Sequence, residues 1–112
     1  MANRSRDKGT AGESAIVSYL QAQGFSACER RALHGAADKG DIAGLHDTVI
    51  EAKKANRIEL SEWIKELDAE MHNANARFGA VWAWRRGKSS PADWYVVMPG
   101  HVFADLLREA LR

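Results

Sequence analysis

Over residues 58–77 the apolar residues Leu60, Trp63, Ile64, Leu67, Met71 and Ala74 recur at spacings of three and four, with Glu59, Glu62, Lys65 and Glu66 off the stripe. That pattern predicts an amphipathic helix with one buried face, capped by Ser61 or Asn56. Such a helix must lay its stripe on an apolar surface, and β-type segments stand on both sides of it. Before it come Asp41-Ile42-Ala43-Gly44-Leu45 and Thr48-Val49-Ile50-Glu51-Ala52-Lys53, parted by the turn-forming pair His46-Asp47 and readable as a hairpin. After it, residues 79–84 and 94–98 are rich in β-branched and aromatic types, with a polar stretch containing Gly and Pro between them.

The ends of the chain complete the order. Ala15, Ile16, Tyr19 and Leu20 follow Gly9-Thr10-Ala11-Gly12 and predict a helix over residues 10–23, stopped at Gly24. Residues 25–32 carry no helical stripe and read as a strand, leading into a Gly- and Ala-rich loop from His34 to Gly40. Val102, Phe103, Leu106, Leu107 and Ala110 predict a closing helix after Pro99-Gly100. Helix, three strands, helix, two strands, helix implies an α/β fold: a mixed sheet with helices on its faces. A chain of 112 residues accommodates this as one domain, residues 1–112. No apolar run nears the roughly 20 residues of a membrane span, and the N-terminus is polar. One cysteine, Cys28, allows no internal disulfide. These features predict a cytoplasmic protein without a membrane partner.

Asp41, Glu51 and Lys53 carry the chemistry. Residues two apart in a strand share a face, so Glu51 and Lys53 project side by side from an otherwise apolar strand. An unpartnered ion in a sheet interior costs several kcal/mol, so charge there points to a cation or a polar cleft. With Asp41 on the same face, two carboxylates offer the hard oxygen ligands that suit Mg²⁺ beside a phosphate. The ion would polarise the phosphoryl oxygen and acidify a water, and the lysine would stabilise developing charge. Register decides whether Asp41 belongs. A two-residue loop at His46-Asp47 sets Asp41 opposite Ala52 and turns it away, whereas convergence requires Asp41 opposite Lys53 and Ala43 opposite Glu51. An odd loop centred on Asp47, or a bulge at Gly44, would supply that.

Gly40-Asp41, the nine residues 42–50, then Glu51-Ala52-Lys53 resemble the motif of the PD-(D/E)XK nucleases, with Gly40 where the family name has proline. The order of elements is similar to that superfamily's restriction-endonuclease-like αβββαββα core. The basic start with Arg4, Arg6 and Lys8, then Gly9, Gly12 and Glu13 leading into Ser14-Ala15-Ile16-Val17-Ser18-Tyr19-Leu20, resembles more narrowly the archaeal and phage Holliday-junction resolvases. The resemblance implies that Glu13 supports a metal site formed with Asp41 and Glu51, that Mg²⁺ serves with Mn²⁺ able to substitute, and that a homodimer cuts a four-way DNA junction symmetrically.

A net charge of +1 gives no global pull on DNA, so affinity must come from local patches. Arg4, Arg6 and Lys8, in a flexible basic arm over residues 1–8, with Arg30, Arg31, Lys54 and Arg57, are the expected DNA contacts; Arg85, Arg86 and Lys88 form a further cluster. Bland readings stand beside each of these. Asp41 suits a turn, Glu51 and Lys53 suit the solvent face of an edge strand, and Glu13 suits a helix N-terminus. His34 and His46 have proton-carrying chemistry but sit in loops. Trp63, Trp82, Trp84 and Trp94 suit core or dimer packing. The competing functions are another nuclease of the same fold and a non-catalytic DNA-binding module.

Overall fold

A computed structural model describes residues 4–31 and 38–112, with the side chains of the first segment from residue 11 onward. The elements are α1 (Arg4–Ala22), β1 (Glu29–Arg30), β2 (Ile42–Ala43), β3 (Thr48–Lys53), α2 (Leu60–Ala74), β4 (Phe78–Ala83), a 3-10 turn (Pro91–Asp93), β5 (Tyr95–Val97) and α3 (Gly100–Ala110). The order is the expected one. The sheet runs β1-β2-β3-β4-β5; β3 and β4 are parallel and every other neighbouring pair is antiparallel. Helix α2 makes the crossover that a parallel pair requires.

Alternation along β3 divides the core in two. Ile50 and Ala52 face α1, where they pack with Ile16, Leu20, Cys28 and Ile42, and Trp82 meets Tyr19 edge-on at 5.9 Å between centroids. Val49 faces α2, where it packs with Trp63, Leu67, Met71, Val81, Ala83 and Val102. Trp63 and Trp82 are therefore packing residues, as their apolar settings suggested. Glu51 and Lys53 lie on the α2 side by the same alternation, under a helix whose stripe is otherwise apolar.

Several expectations need correction. Helix α1 begins at Arg4, so the basic stretch forms its first turns rather than an arm before it. The first strand shrinks to Glu29–Arg30, because turns occupy residues 23–24 and 26–27. Helix α2 takes Glu59 as N-cap with no side-chain cap bond, in place of Ser61 or Asn56, and ends at an αL Asn75. Residues 34–37 of the expected Gly-rich loop, His34 among them, and the side chains of Arg4, Arg6 and Lys8 lie outside the described residues.

The hairpin register is neither that of a two-residue loop at His46-Asp47 nor one centred on Asp47. Ile42 pairs with Ile50, which sets Asp41 opposite Glu51 and centres the connection on His46. The count is still odd, so Asp41 and Glu51 share a face. Gly44 and Asp47 both take positive φ, 89° and 54°, and a Cβ on Gly44 would stand 1.9 Å from the Ala27 carbonyl oxygen, so the turn folds against β1 only with glycine there.

The backbone at Gly40 does not admit proline. Its φ is 93°, a value closed to the pyrrolidine ring, and its N–H donates to Asp38 Oδ1 at 2.8 Å. Gly40→Pro will therefore lower stability by at least about 2 kcal/mol. Urea unfolding checks this; an unchanged midpoint would show that residues 38–41 tolerate another path.

Candidate metal centre

Asp41 is pinned at the end of the β2–β3 ladder by three hydrogen bonds. Its N–H donates to the Ile50 carbonyl at 2.9 Å, its carbonyl accepts the Arg31 N–H at 2.8 Å, and its Oδ2 accepts the Ala52 N–H at 2.8 Å. The side chain thus finishes a ladder that the backbone has left. It also delivers the carboxyl to Glu51, with which it lies in hydrogen-bonding reach.

From there the acids continue in both directions. Glu13 on α1 approaches Asp41 and is held by Arg30 Nε at 3.1 Å. Glu70 on α2 approaches Glu51 from the opposite side. Carboxyls from α1, the start of β2, β3 and α2 therefore form one row: Glu13, Asp41, Glu51, Glu70. Asp38 joins at the Glu70 end, and oxygens of Asp38, Glu51 and Glu70 lie within 4.8 Å of one another, a grouping that can hold a metal ion.

The energetics of the row are those of a site short of positive charge. Glu51 is 8% exposed and Glu70 2% exposed, and both Glu70 carboxylate oxygens are buried with no hydrogen-bond donor beyond the neighbouring Glu51 carboxyl. Burial, then the neighbouring Glu51, pushes Asp41 up to about 8. Burial, then Glu70, pushes Glu51 up to about 8 against the pull of Asp41 and Lys53. Glu13 is raised by burial and by Asp41, which outweigh Arg30. Glu70 is raised as well, chiefly by burial. Orphaned buried oxygens beside hard oxygen donors fit a divalent cation, because a cation would neutralise charge that otherwise excludes itself from the interior.

Lys53 stands on the same face as Glu51, but its Nζ is bonded to Glu66 Oε2 at 2.7 Å. Burial works against the ammonium, yet Glu66, Glu51 and Asp41 together raise its pKa and keep it charged. Glu66 and Glu70 are one helical turn apart on α2, so that helix supplies one carboxylate to the lysine and one to the acidic row.

Of the residues expected to form the site, Asp41, Glu51, Lys53 and Glu13 come together. The cation-sized grouping, however, contains Glu51 with Asp38 and Glu70, and Asp41 and Glu13 adjoin it. Glu70 was missed, although a signal existed: it falls at the stripe position set by Trp63, Leu67 and Ala74, where an apolar residue belongs. Of the expected DNA contacts, Arg30 is spent on Glu13, Arg31 keeps a buried Nε without a partner among the described residues, Lys54 lies over the Trp84 ring and Arg57 is exposed. His46 is exposed at the hairpin turn, away from the acids. No helix among the described residues is long and apolar enough to cross a membrane. No protein-family model, curated protein or solved structure matches this chain.

Proposed function

We propose that the protein is a divalent-cation-dependent endonuclease that hydrolyses phosphodiester bonds in DNA, with Asp41, Glu51, Glu70 and Lys53 as its centre and Glu13 in support. One observation carries the reading: a buried Glu70 carboxylate with no hydrogen-bond donor beyond the carboxyl of Glu51, against which it is set at the end of the acidic row. Within that reading Mg²⁺ is the resident ion and Mn²⁺ substitutes. Glu51, Glu70 and Asp38 would hold it with Asp41 alongside, and when bound it supplies Lewis-acid polarisation of phosphate and a more acidic water.

The chain's own residues do the rest. Asp41 is oriented by the Ala52 N–H, so its other oxygen is held in a fixed direction beside Glu13 and Glu51. Lys53, steered by Glu66, keeps a permanent positive charge beside Glu51, where it offsets the charge that builds on a phosphate under attack. Glu13 and Arg30 brace the far side of Asp41. The motif built on Asp41, Glu51 and Lys53, and the αβββαββα order, favour a PD-(D/E)XK nuclease and, more narrowly, a homodimeric resolvase of four-way junctions.

The test is cleavage of matched four-way junction, flap and linear duplex DNA with Mg²⁺, with EDTA as the blank. Symmetric nicking of the junction supports the narrow reading, cleavage of the others only the broad one, and no cleavage of any removes the enzyme. Lys53→Ala should lower the rate at saturating DNA about 10²-fold while Kd moves only severalfold, because its charge acts on the transition state. A loss confined to Kd would make Lys53 a phosphate clamp.

A further inference from the structure

Because β3 and β4 are parallel, their carboxyl ends meet at one end of the sheet, where the Trp84 N–H donates to the Lys53 carbonyl at 2.8 Å. The chain leaves that point as Arg85-Arg86-Gly87-Lys88, a turn closed by the Lys88 N–H donating to the Arg85 carbonyl at 3.0 Å, with Gly87 at φ 82°. Two indoles brace this loop from within. Trp94 Nε1 donates to the Lys88 carbonyl at 2.8 Å, and Trp82 Nε1 donates to the Pro91 carbonyl at 3.1 Å. Arg85 lies over the Tyr95 ring and Lys54 over the Trp84 ring, each 5.5 Å from the centroid.

Arg85, Arg86 and Lys88 are exposed, as is Arg57, and Lys54 is half-buried beside them. None of these enters an ion pair formed among the described residues, whereas Arg30, Lys53, Arg77, Arg108 and Arg112 all do. Arg31, Lys39 and Lys65 also stand outside those ion pairs, but the Arg85–Lys88 turn gathers three cations within four residues. Helix α1 borders this surface, since Gly12, next to Glu13, packs toward Lys54 with only 3.7 Å from a Cβ position to Lys54 Cβ.

We infer that the Arg85–Lys88 turn, with Lys54 and Arg57, is the track for the nucleic-acid backbone on one side of the bond to be cut. Its cations would meet successive phosphates of that arm and release their counterions, a contact that is blind to sequence. Bracing by Trp94 and Trp82 matters because a turn already held in place loses little freedom when it binds. The assignment rests on the nuclease reading for the class of substrate and adds where that substrate lies.

The experiment measures Kd of the full chain for short duplex and four-way junction DNA across a range of salt, with Ca²⁺ in place of Mg²⁺. Arg86→Ala with Lys88→Ala should weaken binding about tenfold near 0.1 M salt and flatten the slope of log K against log salt by about 1.8, close to 0.9 for each lost phosphate contact. Arg108→Ala with Arg112→Ala removes equal charge from the last turn of α3 and the chain just beyond it, and should leave both quantities near the wild-type values. Equal losses in the two double variants, or none in the first, would overturn the track. Wild-type protein that binds neither DNA would remove the nuclease reading along with it.

Discussion

Glu51→Gln, and separately Asp41→Asn, will lower cation-dependent DNA cleavage by about 10³-fold or more, measured as a single-turnover rate at saturating DNA and cation. Each substitution removes one negative charge with almost no change of volume. The loss expected is that of a ligand charge and of the water it helps acidify, several kcal/mol of barrier at about 1.4 kcal/mol for each tenfold. Folding should survive, because both side chains sit in a site that repels its own charge. Asp41→Asn has a second consequence. The amide oxygen can still accept the Ala52 N–H now taken at 2.8 Å, so the ladder end should hold and the loss should be chemical. Cleavage within tenfold of wild type in both variants would remove the metal-centre assignment. Cleavage lost together with a cooperative unfolding transition would make the acids structural.

The elements were legible because their periods are strong. The α2 stripe, the two β-type segments after it and the α3 stripe each occupy the expected place. What sequence could not give was register and the far partners. Counting outward from His46-Asp47 assumes which residues form the turn, and the actual connection is set by Gly44, whose close approach to Ala27 is a tertiary fact. Face-sharing of Asp41 and Glu51 therefore depends on tertiary packing that no local pattern reveals. Asp41, Glu51 and Lys53 could be proposed because charges interrupt an apolar strand, and the same reasoning applied to α2 would have singled out Glu70 on its apolar stripe. Asp38 could not be found this way. It reaches the site from a loop, held by the Gly40 N–H, and no periodicity marks a loop residue. The pairing of Lys53 with Glu66 was equally hidden, since it joins residues 13 apart through the packing of α2 on β3.

The acidic row makes stability depend on pH in a direction opposite to most proteins. A carboxyl whose pKa is raised on folding binds more protons folded than unfolded between the two values, so stability falls as pH rises through that window. For Asp41 the window runs from about 3.8 to about 8, and for Glu51 from about 4.5 to about 8; Glu13 and Glu70 shift the same way. The favourable contribution is complete below the lower limits and gone above the upper ones. In EDTA the metal-free protein should accordingly melt about 5 °C or more lower at pH 9 than at pH 5.5, and millimolar Mg²⁺ or Mn²⁺ should recover much of that loss at pH 9 and little at pH 5.5, where protons occupy the site. Glu70→Gln separates this cause from any general effect of pH. It removes the buried unpartnered charge and offers Glu51 an amide donor, so in EDTA at pH 9 it should melt several degrees higher than wild type. The same variant should lose most of its stabilisation by cation, giving opposite signs in the two conditions, the pattern expected where a site is held ready at the expense of stability. A Glu70→Gln protein that is destabilised in EDTA at pH 9, or that keeps its full response to Mg²⁺, would show that Glu70 neither carries the stored charge nor takes part in holding the ion.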